Sequence, residues 1–386
     1  MRAAVIGAGI GGLCTAVGLQ RAGAEVTVHE RAADLRPGGS ALSVFGNGVR
    51  ALDSLGLGDG FRAITSAEAG LLRGGQRRPG GRWLATFPAE SLTELRVVDR
   101  AQLHELLSSA LASGSLRPGR RVIAATAEGR VTHVGADGTP EEDAFDLVVA
   151  ADGLHSIVRQ SLPDDPGIAY SGYSTWRGIT DGPVDLHGEA GETWGVGRRF
   201  GIAPLADGRV YWFAVLSVPR AQHFDDDAAA LRGFFGAWHA PIPELIAATA
   251  PSRIQYLPID ELAGRLPGYV QGRVALVGDA AHAMTPNLGQ GGGQAMEDAA
   301  TLTALLAPLA SVPSPGGAEL SAALTRYDAL RRPRSQAVAA RSRAVGRLAH
   351  VRGRALAGLR DLVVRATPAS ALRRQLESIQ SWSPPA

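Results

Sequence analysis

The first thirty residues leave this chain little freedom of fold. Ala3–Ile6 (AAVI) is a short apolar run that predicts a buried strand, and Gly7-Ala8-Gly9-Ile10-Gly11-Gly12 follows at once. Leu13, Ala16, Val17 and Leu19–Gln20 then recur at helical spacing up to Gly23. Glu25–Val28 predicts a second strand, and Glu30 stands just past its end. Strand, GxGxxG, helix, strand and acid in this order mark a βαβ unit that binds a dinucleotide. Gly7 permits the tight turn, Gly9 lets backbone approach a pyrophosphate, and Gly12 lets the helix pack close to the strand. The helix N-terminus, with Gly11 in its first turn, offers free N–H groups and partial positive charge to the phosphates. Glu30 can accept hydrogen bonds from ribose hydroxyls. Cys14, also in the first turn, reads as a small buried residue.

Composition narrows the chemistry. With 386 residues, 45% of them hydrophobic, the chain can bury a large core, and two or three domains are expected. The net charge of +2 implies no strong field for nucleic acid. Every cationic side chain other than histidine is arginine, since the chain has no lysine, and this excludes a Schiff-base mechanism. One cysteine excludes an internal disulfide or a cysteine metal cluster and fits a reducing cytoplasm. Glycines interrupt the apolar N-terminus, so it reads as mature sequence rather than a leader. No apolar run is long enough to span a membrane. No paired-carboxylate or HExxH-type spacing points to glycosidase or metal chemistry.

A βαβ unit alone does not say which dinucleotide is bound. Two later stretches add to it. Asp146–Ala151 predicts a strand, followed by Asp152-Gly153 and a helical stretch from Ser156. Arg273–Val277 predicts another, followed by Gly278-Asp279, the segment Ala280 to Leu288, and Gly289-Gln290-Gly291-Gly292-Gly293. A helix from Gln294 to about Leu306 carries Met296, Ala299, Leu302 and Leu305–Leu306 on one face.

GxGxxG, DG and GD motifs in this order resemble the signatures of the group A FAD-dependent monooxygenases, the family of para-hydroxybenzoate and salicylate hydroxylases. Gly39 to Leu52 is similar to that family's segment beside the isoalloxazine. Val98 to Leu107 is similar to its Arg-x-x-Leu helix, which implies that Arg100 reaches the FAD. The likeness runs from residue 1 to about 335. It implies an α/β fold: a Rossmann-like FAD-binding domain, an inserted mixed β-sheet substrate domain and C-terminal helices.

It also implies roles. Asp279 would hydrogen-bond the ribityl hydroxyls, and the backbone from Gly289 through Gln290, Gly291 and Gly292 to Gly293 would face the flavin pyrimidine, where a helix N-terminus stabilises reduced, negatively charged flavin. Pro286 would place a carbonyl and a rigid wall near the reactive edge. Arg31, Ser43, Val122 and Asp152 complete the implied cofactor set, although Asp152-Gly153 reads nearly as well as a plain β-turn. His282 reads as a packing or hydrogen-bonding histidine rather than a base.

Residues 166 to about 265 change character and hold four tryptophans. Gly191–Ala203 and Arg209–Leu216 predict two strands joined by Asp207-Gly208, with Arg199, Gly201 and Ala203 on one face and Phe200 and Ile202 on the other. Trp176-Arg177 lies in another predicted strand, Ser174–Thr180. Arg177, Arg199 and Tyr211 are candidates for polar groups in a substrate pocket, and surface strand positions are their other reading. Arg73–Arg82 predicts a loop, 311–317 a linker, and 318–331 and 335–365 two helices broken at Pro333. The second of these is arginine-rich and reads as a solvated face rather than a nucleic-acid or membrane surface.

The expected organisation is a discontinuous FAD-binding domain (1–72, 99–165, 268–345), a substrate domain (73–98, 166–267) and a helical tail (346–386). The activity the resemblance implies is hydroxylation of a small aromatic or heteroaromatic substrate with O2 and NADH or NADPH, by way of a flavin C4a-hydroperoxide, in a cytoplasmic monomer or homodimer. An oxidase or dehydrogenase, an epoxidase or a Baeyer–Villiger enzyme on the same scaffold is the alternative.

Overall fold

The computed structural model describes residues 1–35, 40–135 and 138–385. Gly39, at the head of the segment expected beside the isoalloxazine, lies outside them.

The first strand, Arg2–Ile6, lies inside a six-stranded sheet. It pairs in parallel with Glu25–Glu30 on one side (Arg2 opposite Glu25) and with Leu147–Ala150 on the other (Ala3 opposite Leu147). Val274–Leu276 adds in parallel beyond Leu147–Ala150. Leu147–Ala150 and Val274–Leu276 are buried along their whole length, while Arg2 and Glu25 at the strand starts are exposed. On one face His29 meets His133 of the strand Arg130–Val134, ring to ring at 4.7 Å. The helix Ile10–Arg21 packs on the long helix Gly291–Ala310. Gly18 makes this possible: a Cβ there would sit 2.3 Å from Thr303 Oγ1 and 2.5 Å from Leu55 Cδ2. Consequently the glycine loop, the end of Leu147–Ala150 and the end of Val274–Leu276 open at the same carboxyl edge of the sheet, where α/β folds bind ligands.

The second sheet has seven strands. Ile168–Ile179 runs antiparallel to Val210–Leu216, which runs antiparallel to Arg198–Pro204. The Asp207-Gly208 turn closes the latter hairpin, with Gly208 at φ 81°. The alternation of faces is as expected. Trp176, Phe200, Ile202, Val210, Trp212 and Ala214 pack under Leu231 and Phe235 of the helix Asp227–Phe235. Tyr211, Phe213 and Val215 face the opposite way. Gly201 has a specific reason to lack a side chain: a Cβ would lie 2.1 Å from Cζ of Phe213, whose ring covers it from the neighbouring strand.

Three expectations need correction. Gly191–Ala203 is two strands, Gly191–Trp194 and Arg198–Pro204, because Gly197 at φ 63° turns the chain and Gly195 N–H bonds the Arg198 carbonyl. Arg73–Arg82 is not simply a loop. Gly75–Arg77 joins the seven-stranded sheet beside Gly191–Trp194. Arg77 is buried there because Glu189 neutralises it at 2.6 Å and the Trp83 ring lies 4.5 Å away. Finally, Pro333 does not break its helix, which runs unbroken from Gly317 to Ala349. An interior proline costs a helix about 3 kcal/mol. Buried bonds from Arg331 and Arg334 on either side outweigh it, and Ser335 Oγ donates to the Arg331 carbonyl at 3.0 Å.

Two more helices, Arg354–Ala366 and Ala369–Gln380, follow. The last is tied down at its end. Arg334 donates to the Ile379 carbonyl at 2.6 Å, and Arg50 Nε to the Trp382 carbonyl at 3.0 Å.

Candidate active site

Two cavities meet beside the long helix Gly291–Ala310. The first, about 300 Å³, is lined by Gly9, Gly11, Arg100, Asp279, Pro286, Gly289, Gly291 and Gly292 among others. The second, about 350 Å³, is bounded by Ser43, Phe45, Glu192, Trp194, Phe213, Asn287 and the C-terminal helices. Pro286 and Gly289 line both.

The glycines of the first loop divide their work as expected. Gly7 adopts φ 101°, and a Cβ there would strike the Ala151 carbonyl at 2.5 Å. A Cβ on Gly12 would fall 2.0 Å from the Gly7 carbonyl oxygen, so the helix reaches the strand only through glycine. Gly9 instead has no atom within 4 Å of its Cβ position, because it faces the cavity, and Gly291 is equally open. Glu30, the last residue of its strand, accepts from Ala8 N and Ala32 N, both at 2.8 Å. It thereby braces the loop, and a carboxylate keeps further lone pairs for ribose hydroxyls. Arg31 follows it, exposed. His104 also holds the loop, with Nε2 2.9 Å from the Ala8 carbonyl.

The motif acids present two different carboxylates. Asp279 is exposed on the cavity wall at the end of Val274–Leu276. Asp152 Oδ2 accepts from Ile157 N at 2.9 Å, while its buried Oδ1 has no partner. Burial pushes this carboxyl above its usual value, against the hydrogen bonds from Ser156 and the backbone. Arg100 reaches the cavity from a helix whose N-cap, Asp99, accepts from Ala101 N at 3.0 Å. Arg177 lines the same wall. An open glycine cradle, a helix N-terminus, two arginines and a free carboxylate fit a long, polar, diphosphate-bearing cofactor.

Other expected residues are placed differently. Ser43 and Gln290 line the second cavity. Gln290 is buried and accepts from Asn47 Nδ2 at 2.9 Å. Gly293 lies just behind, where a Cβ would come within 3.2 Å of Asn47. Val122 is buried in its strand, and its side chain lines neither cavity. Arg199 and Tyr211, expected in the pocket, stand one layer behind its wall. Arg199 donates to Asn287 Oδ1 and, at 3.2 Å, to Glu192 Oε2. Tyr211 packs among Ala69, Val97 and Ala203, and burial pushes its phenol up despite the charges of Arg177 and Arg100. A phenol so placed is a hydrogen-bond donor rather than a base. Trp176 and Trp212 belong to the core on the far face, and of the middle tryptophans Trp194 lines the cavity.

His282 is a buried structural group, as read from the sequence. Its Nε2 lies 2.6 Å from Asp298 Oδ2. Asp298 also accepts from Gly278 N at 2.9 Å and Arg331 Nε at 2.7 Å. Glu297 binds Arg331 and Arg334. This network pins the start of the long helix, and no motif announced it. The available signal was Glu297-Asp298, two acids on an otherwise apolar helix.

The FAD binding domain family model matches residues 1–342. The chain belongs to this family. It is a flavoprotein oxidoreductase, and its named relatives are monooxygenases. It is 37% identical over 360 residues to the aurachin C monooxygenase/isomerase of Stigmatella aurantiaca, spanning 89% of this chain and 88% of that protein. It is 32% identical over 394 residues to the 2-heptyl-3-hydroxy-4(1H)-quinolone synthase of Pseudomonas aeruginosa, spanning 97% and 96%. Klebsiella pneumoniae HpxO, solved with FAD and uric acid, superposes with a TM-score of 0.85 at 30% identity, covering 99% of this chain and 97% of that one. The flavin hydroxylase fold expected from the motifs is therefore the fold observed. Among the described residues, no helix is long and apolar enough to cross a membrane.

Proposed function

We propose that this flavoprotein monooxygenase takes electrons from NADH or NADPH and uses O2 to hydroxylate a heteroaromatic substrate held in the second cavity. The observation that carries the reading is the shared wall. Pro286 and Gly289 line both cavities, so a cofactor seated in the first meets a ligand seated in the second at that point. The named relatives, which include a monooxygenase and a quinolone synthase, support the choice of reaction and ring type.

In this reading Gly7, Gly9, Gly11 and Gly12 with Glu30 and Arg31 hold the adenosine diphosphate half, with Asp152 beside them. Arg100 and Asp279 hold the ribityl chain, and Gly289–Gly293 with Ser43 hold the ring. Bound FAD supplies the redox chemistry, accepting hydride and activating dioxygen. The chain supplies position, charge and dryness. The N-terminus of Gly291–Ala310 places N–H dipoles where negative charge collects on reduced flavin. Arg199 keeps Asn287 and Glu192 turned toward each other on the substrate side. The last helix, latched by Arg334 and Arg50, walls the second cavity on one side and narrows the access of water to it. Residues 1–72, 99–165 and 268–345 act as the cofactor unit, and 73–98 and 166–267 with the tail build the substrate side.

The test is anaerobic mixing of yellow holoprotein with NADH or NADPH, with and without candidate hydroxyquinolines, phenols and purines. Bleaching accelerated by one ring class supports the reading and names the class. A colourless protein, or bleaching equally fast with no ligand, counts against it.

A further inference from the structure

We infer that the substrate carries an aliphatic chain, and that the chain lies between the helix Gly317–Ala349 and the two C-terminal helices. This rests on the reading of the second cavity as the substrate site, and it names the kind of substrate that cavity selects.

Three of the polar side chains near the flavin end of the cavity, Glu192, Asn287 and Gln290, are committed to protein partners, which leaves Ser43 and Gln76 as the side chains there with bonds to offer. Glu192 Oε2 accepts from Trp194 Nε1 at 2.7 Å and from Arg199. Asn287 accepts from Arg199, and its amide donates to the Tyr173 hydroxyl at 2.8 Å and the Ser342 carbonyl at 2.9 Å. Gln290 accepts from Asn47 at 2.9 Å. A ligand with many donors and acceptors would therefore leave its own polar groups unpaired on burial, which is costly.

Away from that end the wall is mainly aliphatic, interrupted by Thr367, Gln375 and Gln380. Val345 and Leu348 come from the long helix, Val363 and Val364 from Arg354–Ala366, and Leu372 and Leu376 from the last helix. Two of these residues both line the cavity and reach solvent: Leu348 is 38% exposed and Val363 is 52% exposed. They mark the mouth. Leu356 and Leu359, 57% and 58% exposed, continue outward from Val363 along one face of the same helix. An apolar path thus runs from the Pro286–Gly289 junction to the surface. It suits a ligand with a flat polar head at the flavin and a flexible hydrocarbon tail directed outward. Burying that tail removes apolar surface on both sides from water.

The test uses holoenzyme and a series of 4-hydroxyquinolines bearing hydrogen, methyl, pentyl or heptyl at carbon 2, with uric acid as a polar comparison. Binding is read by calorimetry, and product formation separately by mass spectrometry. Affinity should rise about fourfold per buried methylene until the cavity is filled, and uric acid should bind more weakly than the heptyl compound. Leu376→Gln, on the inner wall, and Leu348→Asn, at the solvent-exposed mouth, should each shrink the heptyl-to-methyl affinity ratio at least several-fold. The second variant guards against loss of fold in the first. Equal affinity along the series, or tighter binding of uric acid, overturns the inference even where the head group is oxygenated. A chain-length trend in binding without oxygenated product keeps the tail site and refutes the proposed reaction.

Discussion

Arg331 Nε donates to Asp298 Oδ1 at 2.7 Å, and both side chains are sealed from solvent. The other oxygen of that carboxylate holds Gly278 N–H and His282, so one acid joins the end of the GD strand to two helices. Burial pushes the Asp298 carboxyl up, but His282 and Arg331 outweigh it and hold it below its ordinary value. A depressed carboxyl stabilises the fold above the ordinary carboxylate range, and that contribution is lost as pH falls through the depressed value. Arg331→Met leaves two acids buried without their main partner. It should cost about 3–5 kcal/mol in urea denaturation near neutral pH, the usual cost of breaking a buried pair.

The histidines act in the same direction at higher pH. Burial first, then the charge of His133, pushes His29 down to about 4. Burial and the nearby Arg199 push His350 down to about 2. Both stay neutral in the fold but protonate near 6.5 when unfolded, so stability should fall as pH drops below 6.5. Each contributes at most about 1.4 kcal/mol per pH unit. His350→Phe, which keeps a ring stacked on Tyr173 (4.2 Å in the native pair), should flatten the slope between pH 6 and 5. Denaturation curves at several pH values check this, and an unchanged slope would exclude His350 as a source.

Two glycines of one loop should behave oppositely. Gly12→Ala places a methyl 2.0 Å from the Gly7 oxygen and should lower the melting temperature of apoprotein and holoprotein alike. Gly9→Ala adds a methyl with no protein atom within 4 Å and should leave the apoprotein melting temperature unchanged while weakening FAD binding. Thermal melts with and without added FAD separate the two effects.

Asp279 is placed to meet the cofactor, with its carboxylate exposed in the first cavity. Asp279→Ala should weaken FAD about ten- to hundredfold, the equivalent of a charge-assisted hydrogen bond. Titration of apoprotein with FAD measures it, and an unaltered dissociation constant would remove Asp279 from the proposed cofactor set.

Arg199 works through Asn287 and Glu192 rather than on substrate directly. Arg199→Met should leave FAD affinity intact. It should lower kcat/KM roughly tenfold or more, as a misplaced wall does, and raise the fraction of NAD(P)H spent without product. Arg199→Lys, a single charge in place of a fork, should recover part of the coupling. Product formed per NAD(P)H consumed is the readout that a simple loss of stability would not shift.

Much of the cofactor side was legible in the sequence because backbone geometry dictates it. Gly7 and Gly12 each meet a steric condition that only glycine satisfies, and such conditions leave a fixed spacing. Glu30 follows from a strand end, whereas the places of Arg100 and Asp279 follow from the family resemblance. The substrate side follows no such rule. The strand faces of Arg199 and Tyr211 follow from alternation, which is local, but their neighbours are tertiary: Asn287 before Arg199, and Ala69 and Val97 around Tyr211. Pro333 misled because its local penalty is visible, whereas the bonds of Arg331 and Arg334 that offset it are tertiary. The stretch 335–365 reads as a solvated face because its arginines stand out, while Val345, Leu348 and Val363 reveal their role only where they meet the cavity.

The central claim is that one atom of O2 enters a ring held beside Pro286 and Gly289. Turnover of the best substrate under 18O2 with NADH or NADPH, followed by mass spectrometry, tests it most directly. The account predicts one labelled oxygen per product molecule and no label from 18O-water. Unlabelled product, with hydrogen peroxide equal to the product formed and no NAD(P)H required, would contradict it and make the protein an oxidase.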